Sequence, residues 1–195
     1  MSNSVVAICN AALIDLGESA IMSLTDNCKA ARLCNARWPM VRDAVLRAHP
    51  WNSCMSMTLL AAATATPAWR WAYSYPLPND CLRVVAVADS SGGEVTRWEV
   101  QTRFLLCDAD APLAIAYVSQ QTDPGQYDAT LCEVFSARMA AVLAYPLTAS
   151  TSLAQAKWME YEAKLSEARG LNAREGGRAQ QAQATGSWLK AKLGG

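Results

Sequence analysis

Nucleophilic and acid–base chemistry needs a proton acceptor beside a nucleophile, and the chain has one histidine, His49. It lies between Ala48 and Pro50 at the expected exit of a helix, where an imidazole can bond the last carbonyls. It therefore reads as a helix-ending residue and not as the base of a triad. The seven cysteines, Cys9, Cys28, Cys34, Cys54, Cys81, Cys107 and Cys132, are odd in number, dispersed and free of any C-x-x-C pair. With a single histidine they do not make zinc-ligand spacing. They read as reduced thiols packed as small hydrophobes, which implies a reducing compartment. Gly92-Gly93 and Gly176-Gly177 lack the lysine and hydroxyl residue that follow in a phosphate loop. No metal and no cofactor is expected.

Paired carboxylates are the remaining catalytic possibility. Glu18 follows a first helix and Asp26 precedes a second, so the two could face one cleft as acid and base of a glycosidase. Each also has a structural use, Glu18 in a turn and Asp26 as a helix cap. The basic residues Lys29, Arg32, Arg37, Arg42 and Arg47 could face DNA, but their spacing scatters around the helix and reads as a solvated face. The charged cluster Glu160, Glu162, Lys164, Glu167 and Arg169 reads the same way. Over the whole chain, 17 basic residues balance 17 acidic ones, and the sequence pI is about 6.6. Global charge thus gives no case for a nucleic-acid binder.

The elements that must position these residues follow from hydrophobic period. The chain has 195 residues, 52% of them hydrophobic, with seven tryptophans against two phenylalanines. That is enough for a real core, with aromatic residues suited to both core and interface. A first amphipathic helix is expected over Ser2–Leu16, capped by Ser2 or Asn3 and ended by Gly17 in the left-handed conformation. A second is expected from a Thr25 or Asp26 cap to His49-Pro50, with Ala31, Cys34, Trp38, Val41 and Val45 as its stripe. The two should form a hairpin, each burying its stripe against the other. Pro39 should kink the second helix near Asn35–Trp38 or make it start afresh.

From Trp51 the period changes to two. Met55, Met57 and Leu59 alternate, and Trp69, Trp71, Tyr73 and Tyr75 alternate more strictly, the pattern of a half-buried strand. Further strands are expected at Cys81–Ala88, Val95–Val100, Arg103–Cys107 and Leu113–Val118. Ser90-Ser91-Gly92-Gly93 and Asp108–Pro112 supply turns. Helical period returns over Tyr127–Tyr145, where Pro146 should end the helix. It resumes after a cap within Ser150–Ser152 and should stop near Gly170. Residues 172–195 are poor in large apolar side chains until Trp188, Leu189 and Leu193, so they read as an extended docking tail. No apolar run approaches the roughly 20 residues a membrane span needs, and the N-terminus lacks the basic start of a signal peptide. A soluble protein made in a cytoplasm is expected.

The fold class expected is thus α+β. It is an antiparallel helical bundle with an inserted small antiparallel β meander and an extended C-terminal tail. The boundaries are a helix hairpin over 1–50, a β-rich insertion over 51–122, a helix pair completing the bundle over 123–171, and the tail over 172–195. Trp69, Trp71, Tyr73, Trp188, Leu189 and Leu193 are the expected interface residues.

The stretch AICNAALIDLGESAIMSLTDNCKAARLCNARWPMVRDAVLRAHPWNSC carries a resemblance. Its Leu16-Gly17-Glu18, Ser23-Leu24-Thr25, Ala30-Ala31-Arg32, Trp38-Pro39-Met40-Val41-Arg42-Asp43 and Leu46-Arg47-Ala48-His49-Pro50-Trp51 segments are similar to the N-terminal region of phage head-to-tail adaptor proteins. These form the tail tubular protein A-like family of short-tailed and related tailed phages. Tyr73–Val84 is similar to the family's strand-turn-strand. The C-terminal helix pair agrees in order and length more than in sequence, and residues 172–195 do not align.

The resemblance implies a structural virion protein of the neck, made in the host bacterial cytoplasm. It would be a ring, usually of twelve subunits, between the portal and the tail nozzle or tube, through which DNA passes without specific binding. Its partners would be itself, the portal and the tail protein, with no membrane. In some relatives the C-terminal extension grips the portal. No catalytic motif transfers. The alternatives are a peptidoglycan hydrolase using Glu18 and Asp26, and a DNA-packaging factor using Arg32, Arg37, Arg42 and Arg47.

Overall fold

The changes of hydrophobic period along the chain correspond to two kinds of element, and the protein is α+β. A computed structural model describes the backbone of residues 3–193 and the side chains of residues 3–175. Its helices are α1 (Val5–Asp15), α2 (Lys29–Ala48), α3 (Ala129–Thr148) and α4 (Thr151–Leu193). Its strands are β1 (Met55–Leu60), β2 (Tyr73–Pro76), β3 (Cys81–Ala88), β4 (Trp98–Gln101), β5 (Phe104–Cys107) and β6 (Leu113–Ser119). The chain divides into a helical unit, residues up to Val45 with those from Tyr127 onward, and a β unit, Leu46–Gln126. The division falls inside the last turns of α2 and just before α3, a few residues from the boundaries expected at 50/51 and 122/123.

In the helical unit α1 begins three residues later than expected, and its cap one or two residues later. Ser4, not Ser2 or Asn3, is the cap, and its hydroxyl accepts from the Ala7 N–H at 3.0 Å. Gly17 has φ +75° and ends the helix as anticipated. The Gly17 N–H bonds the Ile14 carbonyl and the Glu18 N–H bonds the Leu13 carbonyl, both at 2.9 Å. That pair of bonds closes the helix end only when the residue between is left-handed. The α1–α2 link is held by side chains standing in for backbone partners. Asn10 bonds both the N–H and the carbonyl of Ile21, at 2.8 and 2.9 Å. Asp26 accepts from Met22 and Ser23 at 2.8 and 3.1 Å. Neither Thr25 nor Asp26 caps α2. Cys28 occupies that position, its sulfur accepting from the Ala31 N–H at 3.4 Å.

α2 runs through Pro39 without starting afresh. α3 runs past Pro146, because a proline in the last turn removes only one bond of a helix that ends at Thr148. The Asp128 carboxylate caps its start by accepting from the Leu131 N–H at 2.7 Å. Ser150 caps α4, accepting from the Leu153 N–H at 3.2 Å. α4 does not stop at Gly170. Residues expected to open an extended tail are helical, and Asn172 is buried.

The expected contact between the α1 and α2 stripes is present where Cys9 meets Cys34, but the closest helix packing is that of α3 on α1 and on α4. The reason lies in α3. Its buried Ala137, Ala140, Ala141 and Ala144 let backbones approach, while Leu131, Val134, Phe135, Met139 and Leu143 fill the core around them. By length and composition α3 is also apolar enough to cross a membrane, contrary to the sequence expectation. Those same apolar residues are the interior of the helical unit.

The β unit is antiparallel but is not a meander. It has two three-stranded sheets, ordered β1-β6-β3 and β2-β5-β4. The β6 strand sits between β1, with Met57 opposite Ala116, and β3, with Val87 opposite Ile115. Leu60, Val84, Val87, Leu113, Ile115 and Tyr117 of one sheet pack on Tyr75, Leu105 and Cys107 of the other. The expected long aromatic strand is shorter than its pattern. Arg70 has φ +74°, which breaks the extended backbone between Trp69 and Trp71, and the strand begins only at Tyr73.

Candidate interaction surfaces

The outer face of the β1-β6-β3 sheet is apolar and uncovered within the β unit. Alternation along β1 sends Leu60 inward and Met57 and Leu59 outward, where they are 85% and 68% exposed. Their neighbours across the sheet are alanines, Ala114 and Ala116 on β6, then Ala86 and Ala88 on β3. The result is a ridge of two long side chains beside a shallow alanine floor. Apolar area of this kind marks contact surfaces.

A second surface lies on the outer face of the β2-β5-β4 sheet. The loop from Ala63 to Trp71 arches beside Ser74, Glu99, Gln101, Phe104 and Leu106 and borders an open pocket of about 590 Å³. The loop is pinned at both ends. The Ala63 N–H bonds the Ser74 carbonyl at 2.7 Å, the Ser74 hydroxyl bonds the Ala65 carbonyl at 3.0 Å, and the Ala72 N–H bonds Asp108 at 3.0 Å.

The aromatic residues expected at an interface are distributed by this loop. Trp69 stands on its rim, 80% exposed. Trp71 is buried, with the Arg70 and Arg97 guanidiniums 5.3 and 5.0 Å from its ring. Tyr73 is half-buried, and its hydrogen bond to Asp110 raises its phenol pKa. Tyr75 is fully buried and donates to the Ala109 carbonyl at 2.6 Å. Burial, with Cys107 and Asp110 near it, pushes its pKa up to about 12. Trp188, Leu189 and Leu193 lie outside the residues whose side chains are described.

A third surface is a groove of about 430 Å³ between β3 and β4, lined by Arg47, Arg83 and Arg103. Arg103 donates to the Cys81 carbonyl at 3.1 Å and to the Pro78 carbonyl. Arg47 donates to the Leu82 carbonyl.

The residues considered for chemistry are mostly in structural use. Asp26 closes the α1–α2 link through its two N–H contacts, and Glu18 supplies the N–H that ends α1. His49 packs its ring edge-on to Trp51 at 4.9 Å. Cys9 and Cys34 are buried together in the helical unit. The hydrogen bond to Cys34 and burial hold the Cys9 proton well above the ordinary thiol range. Burial likewise raises Cys81, Cys107 and Cys132, the last to about 11, so these remain protonated, unreactive thiols. Among the described residues no group of three His, Cys, Asp or Glu is placed to hold a metal. Of the α2 arginines, Arg42 pairs with Asp43 at 2.8 Å and Arg32 donates to Asn27 at 3.0 Å.

Two features escaped the sequence reading. The alanine floor has no periodic signal of its own, since alanine fits either face of a strand. The arginine groove joins residues from three separate segments, which only the strand order brings together. No protein-family model matches the chain, and no curated protein is significantly similar to it.

Proposed function

We propose that this chain is a structural adaptor subunit of a tailed-phage neck. It would form a ring, most simply of twelve copies, between the portal and the tail nozzle or tube, with DNA passing through and not specifically held. The observation that carries this reading is the pair of unlike exposed apolar patches on the β unit, Met57–Leu59 and Trp69. A closed ring needs two different surfaces that meet head to tail on neighbouring subunits. The neutral charge balance also supports it, because each added phosphate contact would raise DNA affinity and slow passage. On this reading the chain is not an enzyme, and Trp188, Leu189 and Leu193 are the segment offered to the portal.

The test is the mass of the purified chain by light scattering, alone and mixed with its portal. The expected result is a 21.0 kDa chain that joins the portal in near-equal copy number. Met57→Glu with Leu59→Glu should leave the fold intact and abolish the ring. A chain that ignores the portal would overturn the reading.

A further inference from the structure

We infer that the arginine groove between β3 and β4 is a docking slot for an acidic, extended peptide segment of a partner protein. This goes beyond the adaptor reading and does not depend on it.

The groove exists because the two sheets are joined at one end only. Ala88 bridges Glu94, and the Val95 N–H bonds the Val87 carbonyl at 2.9 Å. Away from that joint the edges of β3 and β4 separate, since β3 pairs only with β6 and β4 only with β5. Into the gap come Arg47 from the end of α2, Arg83 from β3 and Arg103 from the β4–β5 turn. Among the described residues none of these three has a carboxylate within ion-pair distance. Arg47 and Arg103 are fixed by backbone carbonyls, which orient a guanidinium without neutralising it. The acidic neighbour is Asp80, whose carboxylate takes the Tyr117 hydroxyl at 3.3 and 3.4 Å. Three cations therefore line a groove whose own walls carry no acid, in a chain whose total charge is balanced.

The other walls decide the class of occupant. Leu77, Val84, Trp98 and Val100 make half of the lining apolar. A nucleic acid strand finds one stacking face here, Trp98, while Leu77, Val84 and Val100 offer nothing to its sugars and phosphates. A peptide alternating acidic and apolar residues satisfies both the arginines and these apolar walls, because successive side chains of an extended segment point to opposite sides. The outer backbone edge of β4 adds unpaired N–H and carbonyl groups of the kind that recruit an added strand.

The probe is a short, end-capped, fluorescein-labelled peptide of alternating glutamate and valine, titrated with the full chain at low salt and followed by anisotropy. A peptide with lysine for glutamate is the control. Saturable binding of the glutamate peptide alone, weakened by salt, is expected. Arg83→Glu should weaken it about tenfold or more, as replacing a charge-assisted contact by a repulsive one does. Arg83→Lys should keep most of it. Arg83 is the residue to change because it supports no backbone carbonyl, and an unchanged circular dichroism melt verifies the fold. No binding, or binding indifferent to Arg83→Glu, overturns the inference. So does preferential, Arg83-dependent binding of a labelled single-stranded oligonucleotide, which would make the groove a nucleic-acid site. Portal association measured on the same variants keeps this result separate from the adaptor reading.

Discussion

In the helical unit the ring of Phe135 lies 5.3 Å from Trp38 and 4.9 Å from Tyr127 at the centre of an apolar core, and directed side-chain bonds serve the α1–α2 link and the helix starts. The polar residue at that unit's margin, Arg138, is held by aromatic faces, 4.0 Å from the Trp158 ring and 4.8 Å from Tyr161. The β unit is arranged the other way. Its core is smaller, and side chains bonded to backbone set its turns and edges. Asp89 takes the N–H groups of Ser91 and Gly93 at 2.8 and 2.9 Å. Tyr75 holds the Ala109 carbonyl, and Arg103 holds the Pro78 carbonyl in the turn before β3 and the Cys81 carbonyl at its start. A unit shaped by apolar volume tolerates polar surface change. A unit shaped by directed bonds leaves its outer sheet faces free to carry apolar contact area.

Five substitutions would break or sharpen that contrast, each read by denaturant titration with hydrogen exchange resolved for the two units. Phe135→Ala should cost about 3–5 kcal/mol, since it empties a fully buried aromatic site. Its loss of protection should appear in the helical unit. If the β unit opened equally, the two units would be one cooperative block and the contrast would fail.

Tyr75→Phe should cost about 1–2 kcal/mol by leaving the Ala109 carbonyl without its buried donor. It should also alter the alkaline limb of stability. A phenol raised to about 12 in the folded chain favours folding below its unfolded value of 10.0, and that contribution is lost as pH climbs between the two. The wild type should therefore weaken over this window, and the phenylalanine variant less steeply.

Asp128→Ala should cost about 1 kcal/mol, the usual value of a helix cap, confined to the first turn of α3. The smallest effect is expected at Asp89. Hydrogen bonds from Ser91 and the following backbone N–H groups hold its carboxyl below the usual range. Its contribution is present above the ordinary carboxylate pKa and is lost as pH falls through the lowered one. Asp89→Asn should flatten that acid limb and lower stability slightly at neutral pH, where the charged carboxylate's contribution is present. Gly93→Ala tests the same turn sterically, because a Cβ there would lie 2.8 Å from an Asp89 oxygen.

Much of the secondary structure was legible because apolar stripes repeat with the period of the element that buries them. Leu131, Val134, Phe135 and Met139 mark α3, and the valines mark β3. What period could not convey was pairing. Strand order depends on which edges meet after the chain has turned several times, so an antiparallel set read as a meander became two interleaved sheets. Local exceptions were also hidden. Trp69, Trp71 and Tyr73 alternate as a strand should, and one left-handed residue, Arg70, interrupts them. Asn10 gave no sign that it would clamp Ile21. Of the candidate surfaces, Met57 and Leu59 were visible as alternation but not as the exposed side of it. The arginine groove depends on tertiary placement alone.

The insertion of the β unit between α2 and α3 has a consequence during synthesis. A ribosome releases α1 and α2 first, yet the helix that packs most closely on α1 is α3, encoded after the whole β unit. At roughly 5–20 residues per second that interval is several seconds. Throughout it Ile8, Cys9, Leu13, Cys34, Trp38 and Val41 lack their final cover, while Leu46–Gln126 can close its own core as soon as the central strand β6 is made, before α3 follows. The order of folding therefore inverts the order of translation, with the middle of the chain complete before its beginning. A nascent chain arrested before Ala129 should expose apolar surface that chaperones recognise, and one arrested after Leu171 should not.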